Sequence, residues 1–205
     1  FDGVSGEDEV HGVSFFETTI RSLGGLLAAY DLSRDEAFLK KADDLGYRLA
    51  KAYDTPSGLP HSSINIVDGR TNEDIGCLAD VGTEQVEFRY LARATAKRDY
   101  ADRTERAFDQ LRKMQPKDGL LFQDVKDGNG NPFFSGDKVS FGAMGDSTYE
   151  YMLKIWIQGG RKEDKYREMW DKAMSGMHEQ LLQKSNPNGL AYIADRYSNR
   201  LDRKM

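Results

Sequence analysis

The 205 residues contain one cysteine and three histidines, and no run of eighteen apolar residues. Cys77 cannot form a disulfide within this chain, so the redox compartment is not legible from it. His11, His61 and His178 are scattered with no zinc-ligand spacing and read as surface or loop residues. The residues in hand show no membrane-spanning stretch, and no basic, apolar, small-residue leader opens them. Asn-x-Ser/Thr and Gly-x-Ser-x-Gly are both absent, and Cys77 has no neighbour that suggests an activated nucleophile. Positive charge is also short. The formal net charge of −5 argues against a nucleic-acid or anionic-membrane surface. Gly128-Asn129-Gly130 precedes a strand pattern and not a helix, which makes it a hairpin turn and not a phosphate loop.

What remains, at 39% hydrophobic and 31% charged residues, is an ordinary globular composition. Residues 1–12 are acidic and glycine-containing and read as an irregular opening segment. The 3.6-residue period then predicts a helix over Phe16–Tyr30, with Phe16, Ile20, Leu23, Leu27 and Tyr30 on its apolar face. Gly24-Gly25 within it predicts close approach of a neighbouring helix. Ser33 reads as the cap of a second helix over Asp35–Tyr53, with the stripe Phe38, Leu39, Ala42, Leu45, Gly46, Leu49 and Tyr53. So short a turn makes the two an αα-hairpin.

Thr55-Pro56-Ser57-Gly58-Leu59-Pro60 is turn chemistry, followed by a polar loop to Asp74. A second hairpin is predicted over Val81–Ala96 and Asp99–Met114. Short strands are expected in Gly119–Val125 and Phe133–Phe141, around the turn at 126–132. A third hairpin is predicted over Asp146–Gln158 and Glu163–Gln183. Its stripes are Tyr149, Met152, Leu153, Trp156 and Ile157, and Tyr166, Met169, Trp170, Ala173, Met174, Met177 and Leu181. Methionine-rich stripes of this kind are core. Asn186-Pro187-Asn188-Gly189 ends the helix, and Leu190–Ala194 reads as extended. The three units share no sequence repeat, so toroidal packing of hairpins fits better than a solenoid.

The candidate chemistry lies in carboxylates. Glu17 and Arg21 are spaced to share one helical face, which by itself describes an ordinary surface ion pair. Asp146 opens a predicted helix and could simply be its N-cap, with Ser147 and Glu150 as a competing capping box.

The surrounding residues are more specific. Phe16-Glu17-Thr18-Thr19-Ile20-Arg21-Ser22-Leu23-Gly24-Gly25-Leu26-Leu27 resembles the Phe-Glu-Thr-Thr-Ile-Arg-x-Leu-Gly-Gly-Leu-Leu signature of the class I α-1,2-mannosidases, glycoside hydrolase family 47. Gly145-Asp146-Ser147-Thr148-Tyr149-Glu150-Tyr151-Met152-Leu153-Lys154 resembles the family's Asp-Ser-x-Tyr-Glu-Tyr-Leu-Leu-Lys block after a glycine-rich run. Between them, Thr55–Pro60 with Asn65 resembles the family's Thr-Pro-Ser-Gly-Ile-Pro segment. Leu78–Arg89 resembles Leu-Ala-Glu-Val-Gly-Thr-x-Gln-Leu-Glu-Phe-Arg, with Asp80 in place of the usual glutamate. Residues 154–160 and 191–194 continue the match in order.

The resemblance implies an all-α fold in which αα-hairpins form part of an (α/α)7 barrel with a small β-hairpin. On this reading residues 1–205 are the central portion of one catalytic domain. It implies removal of α-1,2-linked mannose from high-mannose asparagine-linked glycans, with inversion, in the secretory pathway, and with a calcium ion in the pocket. Glu17 and Asp146 fall on two of the family's three candidate catalytic acids. Glu17 is assigned to the acid side, oriented and kept ionised by Arg21, and acts directly or through a water. Asp146 is either the alternative acid or a stabiliser of the oxocarbenium-like transition state. Asp80 and Glu87 line the sugar pocket. Met144 stands where some members have a glycan-contacting arginine. The third acid and the calcium threonine belong to family segments outside these residues, so no metal ligand is assigned here. Three hairpins do not close a ring of seven, which predicts a further segment or second chain that completes the barrel, and exposed apolar flanks without it. The competing expectation is a module of the same ancestry that binds glycan or glycoprotein without cleaving it.

Overall fold

The computed structural model describes residues 12–72 and 74–202. The opening segment therefore lies outside the described residues but for Gly12, as does His11.

A two-residue strand β1 (Val13–Ser14) leads into a continuous helix of three parts: α1 (Phe15–Glu17), a π-helical turn (Thr18–Leu23) and α2 (Gly24–Ser33). The wider turn shifts the buried face. Phe15, Thr19, Leu23 and Leu27 are buried, whereas Phe16 and Ile20 are only half-buried. Gly24 does face a neighbouring helix, since an added Cβ would meet Glu87 Cγ at 3.5 Å, but Gly25 faces open space.

α3 (Glu36–Leu49) is capped by Asp35, whose Oδ1 accepts from Ala37 N at 2.9 Å, and ends in a 3-10 turn at Ala50–Tyr53. Ser33 instead finishes the preceding helix, donating to Ala29 O at 2.7 Å. Phe38, expected inside, is 36% exposed. Gly46 is the close-approach glycine of this hairpin: a side chain there would collide with Leu91. β2 (Ser63–Ile64) returns to pair with β1.

The second hairpin differs most from expectation. Its first helix is broken into α4 (Leu78–Gly82) and α5 (Gln85–Thr95) before α6 (Asp99–Met114). β3 (Val125–Lys126) and β4 (Phe133–Phe134) form the expected β-hairpin, in shorter form. β5 (Lys138–Val139) leaves it for another sheet. α7 (Asp146–Gln158) and α8 (Asp164–Gly176) make the third hairpin, and the latter continues as a π turn over Met177–Leu181. On α7, Ile155 is buried in the place expected of Ile157, which is 51% exposed. β6 (Leu182–Lys184) pairs with β7 (Ala191–Ile193) across a turn with a cis Asn186–Pro187 bond. β8 (Asp195–Tyr197) joins β5 to β9 (Arg200–Asp202) in a three-stranded sheet that the sequence pattern does not announce.

The first helices of the three hairpins touch one another in sequence, and the second helices pack outside them. The layers are joined by an aromatic cluster. Phe15 meets Tyr53 edge-on at 5.3 Å between centroids and Phe88 at 6.2 Å, and Phe88 meets Tyr100 at 6.1 Å. Each such ring contributes about 1.5–3 kcal/mol by burial. Helix starts separated by more than a hundred residues, at 15 and 146, are thereby held at one end of the inner layer.

Candidate active site

The short helix α4 organises this end. It packs against α1 on one side and α7 on the other. Gly82 makes the second contact possible, because a Cβ there would collide with the Thr148 side chain. Thr148 Oγ1 donates to Leu78 O at 2.8 Å, Ala79 N donates to Met144 O at 2.9 Å, and the Thr83 and Ser147 hydroxyls are 2.8 Å apart. The segment carrying Asp146 is thus tied to α4 on both sides of that residue.

Glu17 lies in the first turn behind β1, its N–H donating to Ser14 Oγ at 3.2 Å. Its carboxylate pairs with Arg21, whose guanidinium pKa is raised by that hydrogen bond and charge. The pair is open to solvent, with side chains 46% and 73% exposed. Asp146 is exposed too and is not the N-cap, a position taken by Gly145. Its Oδ1 accepts from Ser147 N at 2.8 Å. Glu150 pairs with Lys154 and takes no part in a capping box.

Asp80 accepts from Cys77 N at 2.9 Å, closing a capping box at the start of α4. Cys77 is buried, and its thiol is pushed up to about 12 by burial and by Asp80. Met144, 49% exposed, holds a left-handed φ of 72°. Such a backbone costs a side-chain-bearing residue about 1 kcal/mol. The Ala79 hydrogen bond and a 3.0 Å contact from Gln123 Nε2 to its Sδ hold it there.

Glu87 accepts from Tyr151 OH at 2.9 and 3.1 Å and borders a cavity of about 230 Å³ between α2 and α5. Burial raises its carboxyl pKa despite that hydrogen bond, and the Tyr151 hydroxyl is raised by burial and by Glu87. One residue escaped the sequence reading. Glu84, in the break between α4 and α5, has no exposed surface. Its Oε2 accepts from Thr83 N at 3.2 Å, while Oε1 is buried without a partner. Burial, then Asp80 and Glu87, raise its pKa well above the ordinary carboxylate value. The 80, 84, 87 spacing would put the three acids on one face of an uninterrupted helix, and that spacing was the available signal, although the structure breaks the helix between them.

The arrangement sets the half-exposed Glu17, paired with Arg21, and the exposed Asp146 on helices that pack against α4, with two buried acids of raised pKa, Glu84 and Glu87, just beyond it. Among the described residues no group of three or more His, Cys, Asp or Glu side chains could hold a metal ion.

The family model for glycosyl hydrolase family 47 matches residues 4–205. The chain is 43% identical over 206 residues to a mannosyl-oligosaccharide 1,2-alpha-mannosidase of Arabidopsis thaliana, covering 97% of this chain and 36% of that protein. It is 38% identical over 198 residues to an endoplasmic reticulum mannosyl-oligosaccharide 1,2-alpha-mannosidase of Rattus norvegicus, covering 94% and 30%. The chain therefore spans about a third of the length of these relatives. The solved alpha-1,2-mannosidase from Trichoderma reesei superposes with a TM-score of 0.86 at 24% identity, over 97% of this chain and 44% of that one. The likeness establishes the fold: the three hairpins are part of an (α/α)7 barrel.

Proposed function

The chain belongs to glycosyl hydrolase family 47, and on that premise we propose that it supplies part of the active site of an inverting α-1,2-mannosidase acting on high-mannose N-glycans. The observation that carries this reading is that α4, which carries Asp80, packs against both α1, which carries Glu17, and α7, which opens with Asp146. The names of the relatives support the substrate class and, through the endoplasmic reticulum enzymes, a secretory-pathway location. Among the described residues no helix is long and apolar enough to cross a membrane.

Inversion requires one carboxyl to protonate the leaving oxygen while another activates water on the opposite ring face, the two about 6.5–9.5 Å apart. Glu17 takes the acid side, directly or through a water, and Arg21 fixes its orientation. Asp146 opposes the charge developing on the sugar ring or serves as the alternative acid. Asp80, Glu87 and Met144 border the bound mannose. The reading assigns calcium to residues other than those described.

The test is release of free mannose from a high-mannose oligosaccharide by the full-length protein with calcium. Glu17→Gln and Asp146→Asn should each lower the rate by about 10²–10⁴-fold. Proton NMR of the first product should show the β anomer. Wild-type rates in both variants would sink the assignment, and glycan binding without release would favour the non-catalytic alternative. Chelation should abolish release and added calcium should restore it.

A further inference from the structure

On the outer layer, the second helices of the first two hairpins leave a cavity of about 470 Å³ between them. Its walls are the last turns of α3 with the 3-10 turn that follows, and the first turns of α6 with the loop before it. Ala50 and Tyr100 are its buried members. Glu17 and Asp146 belong to inner helices and take no part in it.

Tyr47 is the open member of this lining. The buried face of α3 is Ala42, Gly46 and Leu49, whereas Tyr47 is 64% exposed. Lys51 Nζ lies 5.8 Å from its ring centroid and has no carboxylate partner among the described residues. On the α6 side, Arg103 reaches two acids: Nη1 donates to Asp54 Oδ1 at 2.6 Å and Nε to Asp99 Oδ2 at 2.8 Å. The second oxygen of each acid has no partner among the described residues, and the two side chains are 63% and 69% exposed. The lining thus offers an aromatic face, a spare ammonium and two spare carboxylate oxygens, all reachable from solvent. With every lining charge and its partner counted, Lys51, Lys97 and Arg103 balance Asp54, Asp99 and Asp43, which takes Lys97.

We propose that this cavity binds a neutral pyranose. A C–H face of the sugar stacks on Tyr47, two of its hydroxyls donate to the free oxygens of Asp54 and Asp99, and Lys51 Nζ donates to a hydroxyl oxygen. A pyranose carries an apolar face and a rim of donors and acceptors together, which is what an aromatic surface beside fixed carboxylates matches. Arg103 holds both carboxylates before the ligand arrives, so less ordering opposes binding. A lining without net charge gives an ionised ligand no advantage. The site lies apart from the acids assigned to hydrolysis and does not depend on that reading.

Saturation-transfer difference NMR of the full-length protein with methyl β-D-glucopyranoside tests it. This sugar has axial C–H bonds on both faces and lacks the α-mannosyl configuration of the hydrolytic substrate. Saturable transfer to its ring protons in the millimolar range is expected, insensitive to added salt. The open-chain polyol D-glucitol should bind at least about tenfold more weakly, and D-glucuronate no more tightly. Tyr47→Ala, an exposed change that leaves the core alone, should weaken the glucoside by about tenfold or more. Tyr47→Phe should restore it, and Glu17→Gln should leave it unchanged. No saturable transfer, equal binding of glucitol, tighter binding of glucuronate or unchanged affinity in Tyr47→Ala would each overturn the proposal. Loss of binding in Glu17→Gln would assign the signal to the hydrolytic site and overturn it as well.

Discussion

Glu17 and Glu84 are the same residue type, each beside the start of an inner helix at one end of the arc, yet their surroundings are opposite. Glu17 is half-exposed beside a guanidinium, with water to solvate its charge. Glu84 is sealed under the break between α4 and α5, with Asp80 and Glu87 as its nearest charges and one oxygen unmatched. A carboxylate in the first setting is free to face a ligand, while one in the second favours its proton. The difference shows that a family signature locates the acids but their protonation is set by packing. It also sets a buried, partly unsatisfied acid next to Thr83, whose hydroxyl meets that of Ser147, the neighbour of Asp146.

The largest stability effect should come from the buried side. Tyr151→Phe removes the hydroxyl that donates to the Glu87 carboxylate, and should destabilise the protein by about 1–3 kcal/mol in denaturant unfolding. An unchanged midpoint would erase the contrast between the two regions. Glu84→Gln sharpens it through pH. Because the folded-state pKa of Glu84 is raised, the folded protein holds a proton that the unfolded chain releases. Its stability is therefore fully present below the unfolded pKa of about 4.3 and is lost as pH rises toward the folded value. Glu87 adds to the same slope. The variant should match wild type at pH near 4 and exceed it at pH 7, with a flatter dependence. A parallel pH profile would refute the neutral-acid assignment. Arg21→Ala should have the smallest effect on folding. Its pair is solvated, so thermal unfolding should not move, while mannose release by the full-length protein should fall. A lowered melting temperature would make the pair structural.

Much of this was legible along the chain. α6 and α7 begin and end where their periodicity and flanking residues indicate, because strongly amphipathic helices with clear turn chemistry need little from elsewhere. The 133–134 strand and its turn were also readable. The first helix was misread in register, since a π turn at Thr18–Leu23 adds a residue that no 3.6-residue count anticipates. The break at Thr83–Glu84 was invisible for a related reason. Nothing local forbids a helix there, and the interruption follows from wedging α4 between α1 and α7.

The residues by themselves determined the helical hairpins, the family and the identity of Glu17, Arg21, Asp80, Glu87 and Asp146 as the groups to watch, because period, turn chemistry and motif are properties of neighbours in sequence. Only the tertiary structure decided that α4 joins the helix of Glu17 to that of Asp146, that Glu84 is buried near Asp80 and Glu87, and that Arg89 and Gln158 each keep a buried polar atom without a partner. Those facts depend on which surfaces exclude water, and that is settled by segments far apart along the chain.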